Sequence, residues 1–412
     1  MGTSRSFQAM LNEFMPNTLL MHEQIERSWY FKNVEMNNGW KGGNMVVPFE
    51  GAGASSIAFG ALTDSTDIAE SQYVRGNVPD YKEAWGSIIL HQRDLMDHSG
   101  KIPESTFLSL VPKEIEKFTA KMKQAISTQL LIGAHFAKFT ANGTVGGVIA
   151  VDHIDRFDIG QKLEIDDNDS ASLVVYVIGI NLDASSITVS LTRGGAAADV
   201  SAYTTAQAAK CYHPGVLTNG TFNSLAGTLL SAANGGSATV HGVTKTLWPA
   251  LQALNYSGAA FTASNLLDSL FDVYTDVRSK GKGNATQIVM SYKHLGSVMK
   301  KIEQNKGAYY VTKQPTTNVY GWTTITIGTV KGELTITGIL EMDNDLIMFL
   351  DLSTLCFYSN GGIKKRQAPD GKEYFEVRSA ANGYSYILDL CLFGENVCTL
   401  PANNAIVYGI SY

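Results

Sequence analysis

The sequence predicts an α+β protein assembled from several modules, and three observations carry that reading. A long amphipathic helix spans Val111 to Phe139. Short β-branched segments separated by polar turns fill residues 144–216, and helix-like and strand-like segments alternate from 217 to 355. Periods near 3.6 and 2 in different stretches of one chain imply helices and sheets in separate layers.

Residues 1–39 carry Phe7, Met10, Leu11 and Phe14 at helical spacing, Pro16 interrupts, and the pattern resumes from Leu19 to Tyr30. This is an N-terminal arm of short helices without a core of its own, so it must pack on other parts of the structure. Residues 40–99 are rich in glycine and small residues. Between Trp40 and His98 eight acidic residues face four basic ones, a net charge of −4. A connection this long without helices is normally functional, and a protruding two-stranded loop satisfies both features.

The helix follows. Pro112 suits a first helical turn, where its missing N–H costs nothing. Ile115, Phe118, Met122, Ile126, Leu130 and Ala134 recur at steps of three or four. That stripe is narrow, and Lys113, Glu114, Glu116, Lys117, Lys121 and Lys123 line the other faces. One packed face with the rest free suits a helix laid across a layer better than one buried in a bundle.

Residues 144–216 read as an inserted small antiparallel barrel. KLEI, SLVVYVIGI and SSITVSL are strand-like, and DDNDS and NLDAS are turns. In 217–355, Ser264 is the expected N-cap of a helix ended by Gly281. TQIVMS is a buried strand and YKHLGSVMKKIEQNK a second helix. TTITIGTVKGELTITGIL is a hairpin turned at Lys331 and Gly332, and NDLIMFLDL is a core strand. Residues 356–412 return to β, with GGIKKRQAPDGKEYFEVRS reading as a hairpin whose tip lies near Pro369 to Gly371.

Composition narrows the function classes. At 412 residues the chain holds two or three modules, and 44% hydrophobic content belongs to a folded protein. Charged residues make up 17%, where roughly a quarter is usual, as in a chain whose neighbours cover much of its surface. A net charge of −6 argues against tightly held nucleic acid, because phosphate contacts need clustered Lys and Arg. Cys211, Cys356, Cys391 and Cys398 form no CxxC pair, so free thiols in a reducing compartment are expected. No signal-peptide pattern opens the chain and no run of eighteen apolar residues occurs, so a soluble protein is expected.

A search for chemistry finds little. SKGKGNAT from Ser279 fails the spacing of a phosphate-binding loop, and no serine is flanked as GxSxG. His91, His98 and His135 form neither HxxxH nor HExxH. Asp166, Asp167 and Asp169 resemble half a calcium loop but lack its Gly and terminal Glu, and read as a polar turn. A glycosidase-like carboxylate pair is the residual enzyme reading, and spacing selects no pair. No enzyme activity, cofactor or metal is therefore expected. The densest basic run is Lys364, Lys365 and Arg366. Its bland reading is a solvated hairpin flank. The sharper one has this tip meeting the acidic loop residues Asp64, Asp67 and Glu70 of another subunit.

The order of parts, with SIILHQRDLMDHSGK, LVPKEIEKFTAKMKQAISTQLLIGAHFA, RFDIGQKLEID and ATQIVMSYKHLGSVMKK, resembles the major capsid proteins of tailed bacteriophages, the Hong Kong ninety-seven fold. The resemblance implies a spine helix at 111–139, and an extended loop at 40–99 lying over a neighbour. It implies a peripheral domain of 100–143 with 356–412, an inserted domain at 144–216, and an axial domain at 217–355. It also implies self-assembly as pentamers and hexamers into an icosahedral shell, in the host bacterial cytoplasm. Scaffolding and portal proteins would be partners, with decoration proteins an open addition. The shell would enclose double-stranded DNA without sequence-specific binding, and no membrane is involved. Some relatives cross-link Lys to Asn with a Glu as proton acceptor. Lys41 and Lys82 lie in or beside the loop and Asn382 and Asn396 in the closing strands, nothing in the spacing selects a pair, and the expectation is that none is cross-linked. A tail or portal-associated protein and an encapsulin-type container are the alternatives.

Overall fold

The computed structural model describes residues 28–40, 44–52, 72–78, 82–91, 104–140, 147–166, 172–200, 209–220, 222–280, 283–304, 316–317, 323–329, 332–365, 375–380 and 383–411. The long helix runs from Glu104 to Ile132, earlier at both ends than periodicity alone indicates. Its start precedes Pro112, which therefore sits inside the helix and not in its first turn. It ends at Gly133, whose φ of +120° no other residue adopts cheaply. His135–Lys138 then forms a strand. The expected narrow stripe does not describe the second half. From Met122 onward Lys123, Ile126, Ser127, Thr128, Gln129, Leu130, Leu131 and Ile132 are all buried, so other elements envelop this half of the helix.

A seven-stranded sheet forms the centre. Its order is Leu254–Ser257, Ala405–Tyr408, Leu346–Leu350, Gln287–Ser291, Gly332–Ile339, Thr323–Thr329 and Thr316–Thr317. Leu346–Leu350 shows how sequence builds two cores from one strand. Leu346, Met348 and Leu350 join the core containing Leu130, Trp29 and Phe357, whereas Ile347 and Phe349 join the core under the helices Leu266–Lys280 and Tyr292–Gln304. A continuous apolar run is what a strand covered on both faces requires. Ala405–Tyr408 lies between Leu254–Ser257 and Leu346–Leu350, so the last strand belongs to this sheet and not with the rest of 356–412.

The second sheet is organised by the 16-residue strand Gly383–Cys398. Lys82–His91 pairs along one edge. Along the other lie Leu355–Ser359, Lys364–Lys365 and Phe375–Ala380, end to end, with Glu35–Asn37 beyond Leu355–Ser359. The strand Lys82–His91 is thus part of the body, and only Met45–Ala52 with Gln72–Val78 forms a separate two-stranded ribbon. Even the ribbon has a covered face, since Val47, Phe49 and Val78 pack with Val240, Val243 and Leu251. The expected hairpin tip at Pro369 to Gly371 lies outside the described residues.

Two local readings change. The helix Leu266–Lys280 is capped by Thr262 and Asn265 in a reciprocal box, not by Ser264. Thr262 N donates to Asn265 Oδ1 at 2.7 Å and Asn265 N to Thr262 Oγ1 at 3.3 Å. In the hairpin of the central sheet, Gly332 already belongs to the second strand and pairs with Thr329, so it is not a turn residue, and Lys331 lies outside the described residues.

The inserted module is a six-stranded sheet in the order His135–Lys138, Lys210–Tyr212, Lys162–Asp166, Leu173–Asn181, Ser186–Ser190 and Val148–Ala150. It closes on itself. Phe139 bridges Val151, with Thr140 N donating to Ala150 O at 3.0 Å and Asp152 N to Lys138 O at 3.1 Å. Closure removes the open edges. Phe136, Ile149, Leu163, Ile165, Val175, Val177, Ile187 and Val189 fill the interior. The barrel therefore begins at His135, directly after the helix.

Candidate functional site

Of the six charged residues singled out above, Asp64, Asp67, Glu70 and Arg366 lie outside the described residues. Lys365 pairs with Leu390 through its backbone, and Lys364 pairs with Cys391 and is exposed. Nothing described brings the acidic and basic groups together.

What the fold does build is a charged junction between the barrel and the turn 340–345 of the central sheet. Its centre is Asp343, which is fully buried. Lys138 Nζ lies 2.9 Å and His135 Nε2 3.0 Å from Asp343 Oδ2, and Arg156 Nη1 3.4 Å from Oδ1. All three partners come from the barrel. His135 and Lys138 share a strand edge three residues apart, and Arg156 ends the short turn Ile154–Arg156. Lys138 also reaches Asp345 at 2.8 Å. Arg156 donates to Phe136 O, to Leu340 O at 2.8 Å and to Met342 O at 3.4 Å. Its planar fork thus ties the barrel wall to the sheet turn through three carbonyls and one carboxylate.

The electrostatics follow from burial. Burial alone raises a carboxyl pKa, but the His135 hydrogen bond and the charges of Lys138 and Arg156 outweigh it and hold Asp343 well below the usual range. Burial opposes the charge of Lys138 too, and Asp343 and Asp345 overcome that and raise its pKa. Asp152 is pushed up to about 6, first by burial and then by Asp343. Burial, reinforced by Arg156, pushes His153 down to about 3, so its ring is neutral. Glu341, buried against the helix, is raised to about 7 by burial.

A second polar network lies where the ribbon, arm and long strand meet. Glu395 Oε1 accepts from Asn223 N at 2.7 Å and from Asn396 N at 3.0 Å. Tyr30 donates to Asn396 Oδ1 at 2.6 Å, and Asn396 Nδ2 to Asn223 O at 3.1 Å. Burial pushes Glu395 up to about 7. Nearby, His241 sits at φ +47° in a tight turn, stacks on Phe49 of the ribbon, and accepts a hydrogen bond from Asn77 N at its carbonyl oxygen. These contacts fix the ribbon base.

The described surface also carries large apolar side chains. Trp85 is 66% exposed on the body strand Lys82–His91, and Tyr73 is 70% exposed on the outer face of the ribbon. Ile159 and Leu182 project from barrel turns. Sequence reasoning missed the junction, because Asp343 lies 187 residues from Arg156 along the chain. The one local signal was the crowded stretch Asp152, His153, Asp155 and Arg156.

No protein-family model and no curated protein matches the sequence. Among solved structures, the chain is similar to a subunit of the cyanophage A-1(L) capsid at 15% identity. That match covers 92% of this chain and 91% of the other, with a TM-score of 0.46. A chain of the satellite phage P4 procapsid matches at 10% identity over 100% of this chain and 98% of its own, at 0.41. An encapsulin complex from Synechococcus elongatus matches at 8% identity over 95% and 91%, also at 0.41.

Proposed function

We propose that this chain is the shell-forming subunit of a tailed-phage head, assembling with copies of itself as pentamers and hexamers around double-stranded DNA. The observation that carries the reading is the order and kind of its parts. A ribbon leaves the body, a 29-residue helix crosses beneath a sheet built on one long strand, and a barrel is inserted between that helix and a central mixed sheet. In this reading exposed Trp85 and Tyr73 are available to neighbouring subunits. In this reading the role is structural, and a separate scaffolding protein and a portal join the assembly.

The contact between Lys364, Lys365 and Arg366 and the acidic residues Asp64, Asp67 and Glu70 of a neighbour belongs to the same proposal. Each exposed pair contributes about 0–1 kcal/mol, so its value lies in repetition around a symmetric shell. Reversing all three basic charges is expected to lower particle yield; normal particles from that variant would remove the contact from the account. The shell itself is tested by negative-stain imaging of the purified chain, where closed polyhedra support the proposal and rings or tubes indicate a tail or portal-associated role. Nuclease-protected DNA inside the particles separates a phage head from an encapsulin-type container, which holds protein cargo.

A further inference from the structure

We infer that Asp152, His153 and Asp343 form a site for one divalent transition-metal ion of the zinc type, bridging the barrel to the central sheet. His153 Nε2 is buried, has no hydrogen-bond partner, and lies 3.8 Å from Asp152 Oδ2 and 3.7 Å from Asp343 Oδ1. The three ligand atoms all fall within 4.8 Å of one another. A tetrahedral zinc spaces its N and O ligands by roughly 3.3 Å, so the two His153 edges would close by about half an ångström and the edge between the carboxylates by up to about 1.5 Å, with water as the fourth ligand.

The use made of the other atom of each residue points the same way. Asp152 Oδ1 accepts the backbone N–H of Lys138 at 2.8 Å, which turns Oδ2 toward His153. Asp343 Oδ2 takes His135 and Lys138, and its Oδ1 has only the 3.4 Å contact from Arg156. His153 Nδ1 faces Asp155 Oδ1 at 3.9 Å, beyond hydrogen-bond length, so this carboxylate would close in behind the ring when the ion binds, as carboxylates do behind most metal-binding histidines. Asp152 and Asp343 are each oriented by one oxygen and turn the other to the ion, Asp343 Oδ1 sharing its charge with Arg156.

Charge supports a cation despite the basic neighbours. Asp152, Asp155, Asp343 and Asp345 face Lys138, Arg156 and, farther off, Lys210, which leaves one carboxylate in excess. A bound cation offsets that excess. Arg156 is held by carbonyl oxygens and need not leave when the ion enters. One imidazole with two carboxylates suits zinc or another borderline first-row ion better than calcium, which takes six or more oxygens. The site is independent of the shell reading, since it lies within one chain.

The test is zinc titration of the full chain after chelator treatment, followed by competition with a chromophoric chelator. One zinc per chain is expected. His153→Ala and Asp152→Asn are each expected to weaken it at least about tenfold, and Asp155→Asn, at a partly exposed position, by about tenfold. Cobalt substitution adds a readout of coordination, with visible absorption present in the parent chain and lost in His153→Ala. Saturable binding that none of the three variants alters would overturn the assignment, as would the absence of any saturable zinc site in a chain whose circular dichroism is intact.

Discussion

Replacing Arg156 with Ala should unfasten the barrel from the central sheet. The side chain is 4% exposed and donates to Phe136 O, Leu340 O, Met342 O and Asp343. Two of these contacts are short, and charged hydrogen bonds contribute about 1.5–3 kcal/mol each. Against them stands the desolvation cost that Ala no longer carries. Breaking one partner from a buried ionic group costs about 3–5 kcal/mol, and that is the loss expected here. Arg156→Lys should recover less than half of it, because an ammonium is a point charge and cannot span three carbonyls and a carboxylate. Urea unfolding of the unassembled subunit measures the loss. Hydrogen exchange locates it, with protection falling first in Phe136–Lys138 and in the turn 340–345. A loss below about 1 kcal/mol, or full recovery by Lys, would refute the claim that this fork holds the barrel.

Three further outcomes are expected. His213, stacked on Phe136, and His241 are each lowered to about 4 by burial, so the unfolded chain binds protons between pH 6.5 and 4 that the folded chain does not. Stability should therefore fall on acidification through that window by up to about 3 kcal/mol per histidine, and His213→Phe should flatten the profile in pH-dependent urea melts. Glu395 behaves oppositely. Raised to about 7, it costs stability as pH rises from 4.5 through 7, so Glu395→Gln, which keeps the acceptor oxygen for Asn223 and Asn396, should make that decline shallower, with Glu341 and Asp152 supplying the rest. Gly283→Ala should destabilise by about 1–3 kcal/mol in the same melts, because a Cβ there would collide with the Asn403 carbonyl oxygen and backbone must move.

Much of the fold was legible because burial leaves a period in the sequence. Leu346–Leu350 reads as a core strand since both faces are covered, and the β-branched segments of the barrel alternate toward one interior. What local pattern misses is partner choice. Nothing in AIVY tells that Ala405–Tyr408 crosses to the central sheet, or that Lys82–His91 pairs with Ser385–Gly394 instead of extending the ribbon. The helix ends moved for local reasons, with Pro112 tolerated and Gly133 decisive. The candidate site was the least legible part. Asp343 sits in a turn that looks ordinary, and its meaning arises only when His135, Lys138, His153 and Arg156 arrive from the barrel.

Whether this chain builds a closed shell is tested most directly by a cryo-electron microscopy reconstruction of the particles it forms. Icosahedral particles are expected, whose capsomers are five-fold and six-fold rings of this chain, with the outer face of the ribbon Met45–Ala52 and Gln72–Val78, and Trp85, covered by a neighbour. Open tubes, a single ring, or subunits whose ribbon and Trp85 stay bare to solvent would contradict it.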